Sequence, residues 1–147
     1  MKMRSLTKKV EQYFIARKYH KANPIKQFLK LFEDAGDLFE GVNSQNGDLI
    51  RSANGKMQVD LIGLELQINK AACIEATPEE KELLLMVACL GNIATKLHKH
   101  VFQKESDIPH IVPDSMMLQS CIHSVAIHNC TSADSCLALV YEEMGEE

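Results

Sequence analysis

Four carboxylates lie close together in the segment LFEDAGDLFEG, residues 31–41, and they are the side chains best suited to chemistry in this chain of 147 residues. They are Glu33, Asp34, Asp37 and Glu40. Carboxylate oxygens are the ligands that Mg²⁺ prefers, but Mg²⁺ binds about six oxygens in an octahedral array, and one helix rarely supplies them all. The segment therefore predicts either half of a metal site or the solvent-exposed side of an ordinary helix.

The angular positions of these carboxylates favour the exposed side. At ~100° per residue, Glu33, Asp37 and Glu40 lie within about 60° of one another on a helix, with Asp34 beside them. We expect this acidic strip to point away from the apolar stripe of the same helix. A metal site here would need ligands from a neighbouring helix.

A second polar column occurs in the next segment, DLIRSANGKMQVDLIGLELQ, residues 48–67. Asp48, Ser52, Lys56 and Asp60 recur at intervals of four, so they follow one side of a helix. The column either faces the acidic strip or forms a Lys56–Asp60 ion pair within its own helix. Since the rest of this helix is apolar almost all round, we expect it to be central and buried.

The helical spacing of apolar residues extends over nearly the whole chain, and no segment alternates as a strand would. Asn23 followed by Pro24 predicts the start of a helix that ends near Val42. Thr77 and the Pro-Glu-Glu after it predict the start of another, which ends near Lys99. The remaining helices are predicted over residues 5–20, 48–68, 114–128 and from 131 or 132 to 144. The fold class predicted is all-α.

Composition narrows the classes of function. Residues 1–73 contain 12 Lys/Arg and 8 Asp/Glu, a balance of +4, whereas residues 74–147 contain 4 and 12, a balance of −8. With 5% aromatic residues and no concentrated basic face, a nucleic-acid partner is not expected. No apolar run approaches the ~20 residues of a membrane span, and none follows the basic N-terminus as in a signal peptide. Five cysteines without a C-x-x-C motif predict reduced thiols and a cytoplasmic location.

Residues 5–68 resemble the MazG-like, all-α nucleoside triphosphate pyrophosphatases. The segment KKVEQYFIARKYHKANPIKQFLKLFEDAGDLFEG resembles the entry helix, loop and EE-x-x-E helix of that family. DLIRSANGKMQVDLIGLELQ resembles the helix that carries the family's second acidic segment. The resemblance implies a MazG-like helical bundle that hydrolyses a nucleoside triphosphate to the monophosphate and pyrophosphate, with Mg²⁺ held by both acidic helices.

Transferred to this chain, the resemblance assigns catalytic roles to Glu33, Asp34 and Asp37, and metal binding to Asp34 and Asp37. The family's second acidic pair falls on Ser52 or Ala53 and on Lys56, none of which is acidic. A lysine at this position puts a positive charge where the cation would bind.

Two substitutes for the missing acids remain open. Asp48 or Asp60, on the same column, could act as metal ligands in their place. Alternatively, the Lys56 ammonium could bind a phosphate group as a point charge.

The second half of the chain resembles a degenerate copy of the first. VACLGNIATKLHK, residues 87–99, aligns with residues 32–44, and SCIHSVAIHNC, residues 120–130, follows the apolar pattern of residues 60–70. The last helix resembles the family's final helix and keeps Tyr141, which the resemblance assigns to nucleotide binding. This predicts a tandem of two helical units, 1–73 and 74–147. The alternative is one MazG-like unit with an unrelated helical extension.

Two functions follow from these patterns. In the first, the chain is a non-catalytic nucleotide-binding or protein-interaction module with an incomplete metal site. In the second, it is an active Mg²⁺-dependent pyrophosphohydrolase with a rearranged acidic site. A nucleoside triphosphate, a protein partner and a second copy of the chain are the candidate partners.

Overall fold

The computed structural model describes residues 3–104 and 109–145. Within these ranges there is no strand, which confirms the all-α prediction. The described residues form six α-helices, α1 (Met3–Ala16), α2 (Pro24–Asn43), α3 (Gly47–Asn69), α4 (Pro78–Phe102), α5 (Val112–His128) and α6 (Ala133–Gly145), and a short 3-10 helix, Tyr19–Lys21, follows α1.

The predicted cap residues start their helices as expected. The Asn23 side chain accepts a hydrogen bond from the Ile25 amide at 3.2 Å. Thr77 Oγ1 accepts from the Glu80 amide at 3.1 Å, and Glu80 accepts in return from the Thr77 amide at 3.0 Å. The first helix ends at Ala16 rather than residue 20, because Lys18 adopts a left-handed conformation with φ of 59°.

The chain divides into two compact units, Met1–Glu75 and Ala76–Glu147. The sequence places the division two residues earlier, between 73 and 74. Within the described residues, no helix is long and apolar enough to cross a membrane.

Helices α2 and α3 form an antiparallel pair at the centre of the first unit. Three buried residues of α3, Ala53, Asp60 and Gln67, are spaced by seven, and Asp34 and Gly41 of α2 are also seven apart and buried. A seven-residue period is typical of a seam between two helices that pack along their lengths. The seam is unusual because small and polar residues occupy these positions.

The ring of Phe14 on helix α1 packs against α3. Phe14 is 5% exposed, and a Cβ added at Gly63 would lie 2.3 Å from its Cε1 atom. Gly63 therefore provides the space that the ring fills. The sequence predicts that α3 is central and buried; α3 does contact α1 and α2, but Leu61 and Ile68 are exposed, since these helices cover only part of its surface.

In the second unit, α5 packs against α4 and α6 packs against α5. Cys89 of α4 and Cys121 of α5 are buried. Lys96 Nζ lies 2.5 Å from Asp114 Oδ2 and donates to the His110 carbonyl at 2.9 Å, which ties the start of α5 to α4. Helix α6 has no buried residue.

Candidate functional site

Two carboxyl groups meet across the α2–α3 seam. Asp34 is 7% exposed and Asp60 is 1% exposed, and Asp34 lies close enough to Asp60 to raise the pKa of that carboxyl group. The Oδ2 atom of each aspartate has no hydrogen-bond partner among the described residues. We call Asp34 and Asp60 the carboxyl pair.

The environment of Asp60 favours its protonated form. Burial, followed by the proximity and the charge of Asp34, raises the pKa of Asp60 to about 7. The positive charges of Lys30 and Lys56 oppose this rise. Lys30 Nζ lies 4.0 Å from Asp60 Oδ1, but the lysine side chain is 64% exposed and so is largely hydrated.

Two glutamines extend the polar seam beyond the carboxyl pair. Gln27 Nε2 donates to Asp60 Oδ1 at 3.2 Å. Gln67 Nε2 donates to the Tyr19 carbonyl at 3.1 Å and, more weakly, to Gln27 Oε1 at 3.4 Å. Gln67 is 1% exposed, yet its Oε1 atom has no hydrogen-bond partner among the described residues.

A pocket of about 420 Å³ opens beside these polar groups. Its lining consists of aromatic rings, polar side chains and two small apolar residues: Tyr13, Phe14, Tyr19, Ala22, Gln27, Lys30, Val59, Asp60 and Gln67. The three rings contact one another edge to face, with centroids 6.0–6.2 Å apart. We call this cavity the tyrosine pocket. It combines flat apolar walls with hydrogen-bonding groups and an ammonium.

The acidic strip of α2 contains three exposed carboxylates and one carboxyl group that is buried in the seam. Glu33, Asp37 and Glu40 are exposed, as expected, but Asp34 is buried. The expectation that Asp34 shares the outward direction of the strip is therefore wrong. The reason is geometric: Asp34 lies ~100° around the helix from Glu33, and this rotation brings it to α3.

The polar column of α3 is divided in the same way. Asp48, Ser52 and Lys56 are exposed, whereas Asp60 is buried. Each step of four residues advances ~40° beyond a full turn, so Asp60 lies about 120° from Asp48. Asp48 forms an ion pair with Arg51 of the same helix.

The last predicted nucleotide-binding residue, Tyr141, lies on α6 in the second unit and is 73% exposed. In the first unit, the structure joins only Asp34 and Asp60 of the predicted acidic residues. It adds five residues that sequence reasoning missed: Tyr13, Tyr19, Gln27, Lys30 and Gln67. The seven-residue spacing of Ala53, Asp60 and Gln67 could have revealed the seam.

The residues present fit only part of a Mg²⁺ site. In residues 3–104 and 109–145, no group of three or more His, Cys, Asp or Glu side chains is placed to hold a metal ion. The carboxyl pair supplies two ligating groups, and the Lys30 ammonium already lies beside one of them. Mg²⁺ would need about six oxygens, so most would come from water or a phosphate ligand.

No family model, curated protein or solved structure matches the chain, so the MazG-like assignment stays a prediction.

Proposed function

We propose that the first unit is a nucleotide-binding module without hydrolytic activity. The observation that carries the proposal is the unpaired Gln67 Oε1 in the wall of an aromatic pocket. Most buried side-chain polar atoms have a hydrogen-bond partner, and an exception calls for an explanation. A ligand N–H group in the tyrosine pocket would supply the missing donor.

The rest of the tyrosine pocket suits the other parts of a nucleotide. The rings of Tyr13 and Tyr19 offer surfaces on which a base can stack. Lys30 offers an exposed ammonium for a phosphate group. A volume of about 420 Å³ falls within the range of roughly 300–1,000 Å³ common for small-molecule sites.

The state of the carboxyl pair supports binding without hydrolysis. Metal-assisted phosphate chemistry needs cations to activate water and to neutralise phosphate oxygens. The pKa of Asp60 is raised to about 7 and the Lys30 ammonium lies beside its Oδ1 atom, so Asp60 presents little negative charge to a cation. The exposed Glu33, Asp37 and Asp48 do not join them in the described structure.

Calorimetric titration of the whole chain with nucleosides and nucleoside triphosphates, without divalent cations, tests the proposal. We expect the nucleoside and the triphosphate of one base to bind with a stoichiometry near one. Tyr13→Ala should weaken the binding of both. Lys30→Ala should weaken the triphosphate about tenfold, equivalent to 1.4 kcal/mol, and leave the nucleoside unchanged.

Lys26→Ala is the matched control, because Lys26 is an exposed lysine one helical turn away on α2. It should bind like the wild type. Absence of binding by a folded protein, or equal losses in Lys26→Ala and Lys30→Ala, would exclude the tyrosine pocket as a nucleotide site.

The contact between Asp34 and Asp60 favours a second candidate, a Mg²⁺-dependent nucleoside triphosphate pyrophosphohydrolase. Facing carboxyl groups from two helices could bridge a cation once Asp60 has lost its proton. Pyrophosphate release with Mg²⁺ or Mn²⁺, abolished by Asp60→Asn and by Asp34→Ala/Asp37→Ala, would establish this activity and overturn the non-hydrolytic assignment.

A further inference from the structure

A second cavity, of about 580 Å³, lies between α5 and α6 in the second unit. Its walls are almost entirely apolar, with Ile122, Val125 and Ala126 on α5 and Cys136, Leu137 and Val140 on α6. We call it the α5–α6 groove. It is separate in sequence from every residue of the tyrosine pocket.

The wall residues follow the spacing of helix faces. On α5, residues 125 and 126 follow residue 122 by three and four positions, and on α6, residue 140 follows residues 136 and 137 by four and three. Each set therefore lies on one side of its helix. Leu137 is 70% exposed and Val140 is 50% exposed. The two helices therefore line an open groove with one apolar stripe each, which suits the i, i+3, i+4 anchors of a docked amphipathic helix.

The charge around this groove has a single sign. From residue 112 to residue 145 the sequence contains no lysine or arginine. Asp134, Glu142 and Glu143 of α6 take part in none of the ion pairs formed within the described part of the chain. At ~100° per residue, Asp134 and Glu143 flank the α6 stripe on opposite sides. A helix entering the groove would meet uncompensated carboxylates at its edges.

We infer that the α5–α6 groove binds an amphipathic helix of a partner protein whose apolar stripe is flanked by lysine or arginine. Complementary charge raises the association rate and disfavours partners of the same sign. A second copy of this chain is a poorer occupant, because its own α5–α6 hairpin would bring carboxylates and no lysine or arginine to the interface.

A synthetic amphipathic peptide tests the inference with the whole chain. The probe has leucine at the a and d positions of three heptads and lysine at the flanking positions, and the matched peptide has glutamate in place of every lysine. We expect the lysine peptide to bind with one-to-one stoichiometry in fluorescence anisotropy. The glutamate peptide should bind at least ten times more weakly.

Val140→Asp places a carboxylate in the groove wall and should weaken the lysine peptide at least tenfold. Leu139→Asp adds the same charge to the adjacent residue, which is 61% exposed and is not part of the groove lining, and should have no such effect. Circular dichroism establishes that both variants are folded. Absence of lysine-peptide binding, or equal binding by the two variants, would overturn the inference. So would a wild-type dimer in sedimentation that Val140→Asp alone dissociates.

Discussion

At the scale of single residues, the raised pKa of Asp60 links folding of the first unit to pH. The pKa of Asp60 is raised from 3.8 to about 7 in the folded protein. Between these values the folded state binds a proton that the unfolded chain releases. The contribution of Asp60 to the free energy of unfolding is therefore complete below about pH 3.8, falls as the pH rises, and is lost above about pH 7.

Urea denaturation at pH 5 and pH 8 measures this contribution. We expect the free energy of unfolding of the wild type to fall between the two values by on the order of 2 kcal/mol, since each pKa unit is worth about 1.4 kcal/mol. Asp60→Asn, which cannot titrate, should show a much smaller fall. The control is Asp37→Asn, which replaces an exposed aspartate on α2 and should behave like the wild type. If it also flattened the pH dependence, the effect would not belong to the carboxyl pair.

At the scale of helices, the sequence predicted the starts of α2 and α4 correctly, because caps are local chemistry, whereas α5 begins at Val112 rather than at the predicted residue 114. Asn23 and Thr77 each hydrogen-bond within three residues of themselves. The sequence did not predict that Asp34 turns inward, because that depends on which side α3 covers. The same holds for Gln67, whose partners Tyr19 and Gln27 lie at least 40 residues away in the sequence.

The attachment of α1 to α3 can be tested with two glycines of the same helix. Gly63→Ala should lower the free energy of unfolding by about 1–3 kcal/mol, the usual cost of overpacking, because the new methyl group would overlap the Phe14 ring. Gly55→Ala has no atom within 4 Å of its added Cβ. It should raise stability by up to about 1 kcal/mol through helix propensity.

Chemical denaturation followed by circular dichroism compares these two variants. A neutral or stabilising Gly63→Ala substitution would mean that Phe14 does not occupy the space above residue 63. An equal loss in Gly55→Ala would point to a general intolerance of α3 to substitution rather than to the Phe14 contact.

At the scale of the whole molecule, the five cysteines report on how the chain is packed. Cys73, Cys130 and Cys136 are exposed, whereas Cys89 and Cys121 are buried together in the second unit. Burial, aided by the nearby Glu82, raises the pKa of the Cys121 thiol, so the reactive thiolate form is further depleted.

Titration with a thiol-specific chromogenic reagent at pH 8 should modify three thiols quickly in the native protein and five in denaturant. Cys121→Ala should reduce the total in denaturant to four and leave the fast three unchanged. Fast reaction of all five in the native wild type would contradict the packing of α4 on α5. In the native protein the two buried thiols should react slowly. Because both lie in the second unit, the rate of this slow reaction measures the opening of that unit.

The polar seam also fixes how far α2 can slide along α3. Gln27 contacts Gln67 and Asp34 contacts Asp60, and both pairs lie on the same seven-residue period. If α2 slid by seven residues, the spacing of the seam would be kept, but Asp34 would lie beside Ala53 or Gln67. A buried carboxyl group would then have no partner, and its lost hydration would destabilise that alignment. Apolar side chains in these positions would add stability, yet several alignments would then have similar energies. The hairpin therefore has one alignment, because its most buried side chains are polar and lose their partners in any other alignment.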